Sequence, residues 1–213
     1  MADTIALYDD RTAAILEGVK RAFAEKGFDG ASMQDLARAA GMSAGNFYRY
    51  FPSKNAIVAA MIARDLADVQ RDFEIVQTSA NPALALKQKF EERIDNLDCH
   101  DGPLWAEIDA AALRRADIGE IVDRMEQEIA FFLTTVFARI SGLPAEVARA
   151  RFSGQAAFLV LLFKGASQRL SGRGCQLPDA TRRNLRSLIL RTIDQTLAEI
   201  ASPDGAADKE LMP

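Results

Sequence analysis

Hydrophobic side chains recur every three or four residues along most of the chain, which is the period of an amphipathic α-helix. The pattern predicts a loose arm at residues 1–9 and a first helix over about 10–26, which ends at Gly27. Later stripes predict helices near 54–79, 82–98, 103–112, 117–140, 144–170 and 179–200. No useful stretch alternates with the two-residue period of a strand, so we expect an all-α fold.

Between the first and fourth of these helices, residues 32–54 contain two short helical segments separated by a glycine turn. Ser32 is a predicted N-cap that forms a capping box with Asp35, and Gly41 is the residue able to take the positive φ of a tight turn. Ser43 is the cap of the second helix, which Pro52 ends. This arrangement is typical of a DNA-binding helix-turn-helix.

Two later segments carry local signals of their own. Asp117 and Glu120 have the spacing of a capping box, which predicts the start of the helix there. Residues 156–166, AAFLVLLFKGA, are apolar on every helical face. A helix of that kind has to be covered on all sides, either by the core of its own subunit or by another subunit.

The predicted helices divide the chain into four parts. Residues 1–54 are expected to form an N-terminal three-helix DNA-binding domain, and residues 55–80 a connecting helix without Gly or Pro. Residues 81–201 are expected to form a larger helical domain, and residues 202–213 a disordered polar tail. The connection between the two domains is therefore predicted to be a continuous helix.

The charge is uneven along the chain. The net charge of -4 and the pI near 5.2 argue against a protein that coats nucleic acid indiscriminately. Between Asp35 and Asp65, however, there is no acidic residue, while Arg38, Arg49 and Lys54 lie in this window together with Arg64. The helix-turn-helix segment is therefore locally basic.

The cysteines and the chain start indicate a cytoplasmic protein. Cys99 and Cys175 lie far apart and no secretory leader is recognisable, so we expect no disulfide framework. The longest apolar run is shorter than the roughly 18 residues that a membrane span needs. Cys99, His100 and Asp101 are adjacent, but no second pair stands at ligand spacing, so we predict neither a metal nor a cofactor.

Residues from Ile15 to Val58 resemble the N-terminal signature of the TetR-like family of bacterial transcriptional regulators. The resemblance lies in the first-helix pattern that ends in KGFDGASM and in the run LARAAGMSAGNFYRYFPSKNAI. From about Asn81 onward the resemblance is in architecture alone. It implies an N-terminal helix-turn-helix domain joined through a fourth helix to a helical ligand-binding and dimerisation domain.

The resemblance assigns roles to side chains in the helix-turn-helix. Amide and guanidinium groups pair bidentately with adenine and guanine in the major groove, which makes Asn46 and Arg49 the main expected base readers. The full base-reading set is Gln34, Ser43, Ala44, Asn46 and Arg49. The expected phosphate contacts are Ser32, Tyr48, Tyr50 and Lys54.

The second domain is expected to form a homodimer that binds an inverted-repeat operator, and to bind a small-molecule effector that relieves repression. A dimer places two recognition helices about one turn of DNA apart. The expected pocket residues are Trp105, Met125, Phe132 and Phe158, although aromatic residues at helical spacing are more often plain core. Glu107, Asp109, Arg114 and His100 are candidate polar anchors, but a surface position is the commoner role for each. The expected dimer-interface residues are Phe163, Leu188, Ile189 and Ile193.

Two other classes of function compete with a regulator. An all-α pocket could hold catalytic groups, but the chain has one His, no glycine-rich phosphate loop and no evident nucleophile with a base, so we predict that it is not an enzyme. The other alternative is a helical ligand-binding or interaction protein without operator-specific DNA binding. A DNA-binding assay separates this alternative from a regulator.

Overall fold

A computed structural model describes residues 2–96, 101–170 and 177–202, and every regular element in these ranges is helical, as predicted. The described helices are α1 (Ala2–Lys26), α2 (Met33–Ala39), α3 (Ala44–Tyr50), α4 (Lys54–Thr78), α5 (Pro82–Asp95), α6 (Asp101–Arg114), α7 (Ala116–Ser141), α8 (Ala145–Leu170) and α9 (Asp179–Ala201). The tail at 203–213 and the pair Cys99 and His100 lie outside the described residues.

The first helix differs from the sequence-based expectation at its start. It begins at Ala2, eight residues before the predicted start at Asp10, so the loose arm at 1–9 was wrong. Neither Gly nor Pro occurs before Gly18 to break the helix. The predicted end is confirmed, because Gly27 follows Lys26 with a φ of 73°.

The chain divides into two compact units. The first unit contains α1, α2, α3, α4 as far as Asp65, α6, and α7 as far as Asp123. Its core contains apolar side chains of α1 together with aromatic and aliphatic side chains from the following elements, all fully or nearly fully buried: Ile15, Val19, Phe23, Phe28, Leu36, Phe47, Phe51, Ile57 and Val58.

The second unit contains the rest of α4, α5, the rest of α7, α8 and α9. Its core includes Phe73 and Val76 of α4, Phe137 of α7 and Ile193 of α9. α8 is kinked at Phe152, whose φ and ψ of −110° and 15° are not helical. The predicted boundaries after residues 54 and 80 stay predictions, whereas these units divide α4 after Asp65.

α8 packs on one side alone within its unit. Ala148, Phe152, Ala156 and Leu159 are buried, whereas Phe158 and Leu161 are 41% and 68% exposed. The core of the subunit therefore covers only part of the apolar surface of α8, and Phe158 and Leu161 lie outside the covered part.

Candidate nucleic-acid interface

The segment between α1 and α4 is built from two capped helices. The Ser32 hydroxyl accepts a hydrogen bond from the Asp35 amide at 3.1 Å, and the Ser32 amide donates to the Asp35 carboxylate at 3.1 Å. This is the predicted capping box. Gly41 has a φ of 67°, and the Ser43 hydroxyl accepts from the Asn46 amide at 3.4 Å at the start of α3. Caps and turn residue together confirm the predicted local structure of the helix-turn-helix.

Asp35 also connects α2 to α1. Its carboxylate accepts a hydrogen bond from the Lys26 ammonium at 2.6 Å and another from the Ser32 hydroxyl at 2.6 Å. The hydrogen bond from Lys26, followed by those from Ser32, holds the pKa of Asp35 well below its usual value. Arg38 lies 3.5 Å away from the same carboxylate.

The helix α3 buries one aromatic side chain and leaves its polar side chains at the surface. Phe47 is fully buried, with its ring centroid 5.6 Å from that of Phe51. Tyr48 is 47% exposed, and Arg49 is exposed with no ion pair to any described residue. The other expected contact residues of this helix and its cap are exposed (Ser43) or partly exposed (Ala44, Asn46 and Tyr50).

The expected contact residues outside α3 have differing environments. Gln34 is exposed on α2. Ser32 is exposed as well, but both its hydroxyl and its amide are engaged in the capping box. Its role as a phosphate contact stays a prediction, because the same hydroxyl already serves Asp35.

Lys54 has an internal role that the sequence did not indicate. Its ammonium donates hydrogen bonds to the carbonyl oxygens of Phe28 at 2.7 Å and Asp29 at 3.2 Å, and lies 5.0 Å from the centroid of the Phe28 ring. The start of α4 is thereby fixed to the turn that follows α1. A phosphate contact by Lys54 stays a prediction, and one ammonium N–H beyond these two bonds is available for it.

The turn after α1 is also contacted from α6. Glu107 accepts a hydrogen bond from the Phe28 amide at 3.0 Å, and Arg114 pairs with Asp29 at 2.9 Å. Both side chains were candidate anchors for a polar ligand group, and the structure shows them bound to the turn between α1 and α2. The partners of Glu107 are separated by 79 positions in sequence, and no local pattern marks such a pair.

The junction of α6 and α7 makes a third contact with this region, through Asp117. Its carboxylate accepts hydrogen bonds from the Arg115 guanidinium at 3.0 Å and from the Asn55 amide group at the start of α4. The bond from Arg115, and then that from Asn55, lowers the pKa of Asp117 to about 2. α7 begins one residue earlier than predicted, at Ala116, and the Asp117 carboxylate also accepts a hydrogen bond from the Ile118 amide at 3.0 Å. The capping box of Asp117 with Glu120 stays a prediction.

The expected pocket residues have varied surroundings in their own units. Trp105 is partly buried on α6 in the first unit, and Met125 is buried on α7 in the second. Phe132 stacks on Phe73 with ring centroids 5.4 Å apart. Phe158 lies exposed on α8. The assignment of these four side chains to a ligand pocket stays a prediction.

The second unit has a small apolar crevice between α5, α8 and α9. It is nowhere wide enough for a water molecule. Its lining includes three residues that were expected at the dimer interface, namely Phe163, Ile189 and Ile193, together with Phe90, Ile94, Leu159 and Leu162. Ile189 and Ile193 are buried inside the subunit, whereas Leu188, the fourth expected interface residue, is 46% exposed.

The described ranges contain neither a candidate metal site nor a single helix that could span a membrane. No group of three or more His, Cys, Asp or Glu side chains there could hold a metal ion. No single helix there is long and apolar enough to cross a membrane, and α7 and α8 meet the length and composition criteria only as a bent pair.

Residues 15–61 match the family model described as bacterial regulatory proteins, tetR family. Among similar proteins is the HTH-type transcriptional regulator EthR of Mycolicibacterium smegmatis, which is 35% identical over 108 residues, 50% of this chain and 49% of EthR. The HTH-type transcriptional repressor DhaR of Mycobacterium sp. is 30% identical over 86 residues, 39% of this chain and 43% of DhaR. The matches thus span about half the length of these curated relatives, or less.

Solved structures extend the likeness to the whole fold. The crystal structure of AibR in complex with isovaleryl coenzyme A and operator DNA has a TM-score of 0.58 and 21% sequence identity, over 85% of this chain and 97% of that one. At this identity the likeness concerns the fold. The arrangement of helices is therefore shared well beyond the segment that the family model covers.

Proposed function

The chain belongs to the tetR family of bacterial regulatory proteins, and we propose that it regulates transcription by binding an operator in double-stranded DNA through α2 and α3. The observation that carries the proposal is α3 itself. Its one buried residue, Phe47, fixes the helix to the core, while Arg49 is exposed and forms no ion pair with any described residue. A short helix with an exposed guanidinium on its outer face suits the major groove of DNA.

We assign base reading mainly to Arg49 and Asn46. Arg49 has its five N–H donors available for a guanine, and Asn46 has an amide that matches adenine. Gln34, Ser43 and Ala44 complete the base-reading set in this proposal, and Ser32, Tyr48, Tyr50 and Lys54 are the phosphate contacts. Because the chain is acidic overall, specific contacts count for more here than general charge attraction.

We further propose that the regulator is a homodimer formed through an exposed apolar surface of α8. This surface, called the α8 stripe, consists of Gly154, Phe158, Leu161 and Gly165, which recur at intervals of four, three and four residues. Both glycines have open space where a side chain would be, so another helix can approach closely. Leu188 of α9, also exposed, is the second proposed contact. Exposed apolar surface of this kind favours burial by association.

A second copy of the chain explains the operator symmetry that we propose. Two recognition helices related by a two-fold axis bind half-sites whose centres are about 34–36 Å, or one turn of DNA, apart. The operator is then palindromic. One α3 alone covers few base pairs, so pairing supplies most of the specificity.

The proposed role is repression that a mainly apolar small molecule relieves, without catalysis, in the cytoplasm. DhaR is named a repressor, and the AibR structure contains both a coenzyme A ester and operator DNA. These names support operator DNA and a small molecule as the two proposed partners of this chain. The expected pocket residues Trp105, Met125, Phe132 and Phe158 are the proposed contacts of the effector, and no cofactor or membrane partner is part of the proposal.

A gel-shift assay tests DNA binding directly. The purified full chain should shift a duplex from the DNA upstream of its own gene at concentrations at which an unrelated duplex stays free. Excess unrelated DNA should compete poorly, because base contacts add to the non-specific affinity. Equal affinity for both duplexes, or no shift of either, would contradict the proposal.

A thermal-shift screen of apolar metabolites tests the effector. A compound present at about 100 times its dissociation constant should stabilise the folded chain by around 2.7 kcal/mol. The same compound should weaken the shifted complex, since coupling between two ligands is reciprocal. A compound that stabilises the chain and leaves DNA affinity unchanged would argue against relief of repression by that compound.

A further inference from the structure

The C-terminal end of α1 is completed by a side chain from another helix. Gly27 takes the left-handed conformation and its amide donates to the Phe23 carbonyl at 2.9 Å. In a helix end with this single bond from the glycine amide, the next amide has no acceptor in the last turn. Here the Phe28 amide has no backbone acceptor among the described residues and donates to the Glu107 carboxylate of α6 at 3.0 Å.

The geometry around Gly27 leaves room for that carboxylate. A Cβ added to Gly27 would lie 2.9 Å from a carboxylate oxygen of Glu107, so any larger residue would displace it. Because residue 27 is a glycine, the backbone can take a positive φ there and the Glu107 carboxylate can lie close to it.

Phe28 is fixed on its other sides as well. Its side chain is fully buried and stacks on Phe23 with ring centroids 5.4 Å apart. Its carbonyl accepts from Lys54 at 2.7 Å, and the guanidinium carbon of Arg115 lies 5.6 Å from its ring centroid. Both backbone polar groups of Phe28 are thus bonded to side chains that come from later helices.

This fixed residue stands directly before the helix-turn-helix. The Ala31 amide donates to the Gly27 carbonyl at 3.2 Å, and Ala31 is followed by Ser32, the N-cap of α2. The path from α1 to α2 therefore runs through the one turn that Glu107 completes. A shift of this turn changes the direction in which α2 starts.

We propose that Glu107 is a positioning residue for DNA recognition: its carboxylate replaces the backbone acceptor missing at the end of α1 and fixes the turn from which α2 and α3 are directed. The inference rests on the proposed DNA binding. It makes α6, which lies outside the family-matched segment at 15–61, part of the structure that holds the reading helices.

Four substitutions in the full chain test this role. Glu107→Ala removes the acceptor, Glu107→Asp keeps the charge but shortens the reach, and Glu107→Gln keeps an oxygen acceptor at full length. Glu25→Ala is the control for lost negative charge, because Glu25 is exposed on α1 in the same unit. Each variant is titrated against a duplex selected from random DNA with the wild-type chain and against an unrelated duplex of equal length.

Glu107→Ala should bind the selected duplex about tenfold more weakly than Glu25→Ala, as expected for loss of one hydrogen bond to a charged acceptor. Binding to the unrelated duplex should not change, so the specificity ratio falls. Glu107→Asp should weaken binding several-fold and Glu107→Gln should stay within about twofold of wild type. Hydrogen exchange of the Phe28 amide should accelerate in the Ala and Asp variants.

The results that overturn the inference differ from those that overturn the proposed function. If wild-type protein selects no duplex, DNA binding itself is refuted. If it does and Glu107→Ala binds like Glu25→Ala, Glu107 has no positioning role. Should the Ala variant fail to fold, the Asp and Gln variants decide: equal affinity of the two for the selected duplex contradicts the inference.

Discussion

The helices α3 and α8 each leave one surface exposed, and the two surfaces differ in chemistry. α3 has seven residues, buries Phe47, and leaves Arg49 and other polar groups outside. α8 has 26 residues, buries one side, and leaves Phe158 and Leu161 outside. Exposed polar side chains such as that of Arg49 suit a nucleic acid, whereas exposed apolar side chains suit a second protein surface. The chemistry that remains exposed after packing is therefore a guide to each helix's partner.

The largest expected effect comes from placing a charge on the α8 stripe. Leu161→Glu should dissociate the proposed dimer, because burying an unpaired carboxylate in each copy costs more than about 4 kcal/mol in total. Operator affinity should collapse with it, since two half-sites are no longer joined. Sedimentation and a gel shift on the same sample measure both.

The control for this substitution is Leu113→Glu on α6. Leu113 is even more exposed, at 89%, but lies outside the α8 stripe. The Leu113 variant should remain dimeric and bind DNA. If both variants stay dimeric, or if both dissociate, the α8 stripe is not the specific dimer interface.

The next largest effect should come from α3. Arg49→Ala should weaken operator binding by about 2 kcal/mol per half-site and relax the preference for one base, as expected for loss of a bidentate contact. Fluorescence anisotropy on the operator and on single-base variants measures both. Arg183→Ala, at an exposed position on α9, removes the same charge and should change little. If the Arg49 variant keeps the wild-type base preference, residues other than Arg49 read the bases.

A smaller effect should come from the packing that supports α3. A Cβ on Gly18 would lie 2.4 Å from the Ala39 carbonyl oxygen, so Gly18→Ala should force α1 and α2 apart and destabilise the fold by about 1–2 kcal/mol. A Cβ on Gly45 of α3 meets open space, so Gly45→Ala should instead stabilise that helix by up to about 1 kcal/mol in the absence of DNA. Urea unfolding of both variants provides the comparison, and a stable Gly18 variant would show that α1 and α2 can adjust.

The smallest predicted effect is the response of the first unit to acid. The pKa values of Asp35 and Asp117 lie below the ordinary value of 3.8, Asp117 at about 2. A lowered pKa in the folded state contributes stability that is present above the unfolded value and lost as the pH falls through the folded one. Stability should therefore decline from about pH 4 to about pH 2. The α8 stripe contains no acidic residue and should not contribute to this decline.

Asp117→Asn isolates part of this acid response. The variant should be less stable than wild type at neutral pH, and the difference should narrow as the pH approaches 2. Thermal unfolding across the pH range measures it, with Asp123→Asn on the same helix as control, because Asp123 is exposed. A difference that stays constant with pH would show that the Asp117 contacts do not depend on its charge.

The two surfaces also differ in how far the sequence predicts them. The caps of α2 and α3 are hydrogen bonds between residues three positions apart, Ser32 with Asp35 and Ser43 with Asn46. The turn between the helices depends on the φ of one residue, Gly41. Short sequence patterns predict such local features, and the structure confirms them. The contacts of Glu107 with Phe28 and of Asn55 with Asp117 join residues 79 and 62 positions apart. Such contacts follow from tertiary packing, and neither periodicity nor a local motif indicates them.

α8 shows the corresponding limit for apolar sequences. Residues 156–166 are hydrophobic on every face, so the sequence alone does not indicate which face the subunit covers. The structure buries Ala156 and Leu159 and leaves Phe158 and Leu161 outside, and it buries Ile189 and Ile193, which were expected at the interface. Hydrophobicity predicts burial at such positions, but it does not distinguish burial within one copy from burial between two.

The most direct test of the central claim, that a dimer reads DNA through two copies of α3, is selection of binding sites from random duplex DNA by the full chain. The selected sequences should contain an inverted repeat whose half-site centres are separated by about one helical turn. Arg49→Ala should lose base preference at the same position in both halves. A single asymmetric site, or no enriched sequence, would contradict the account.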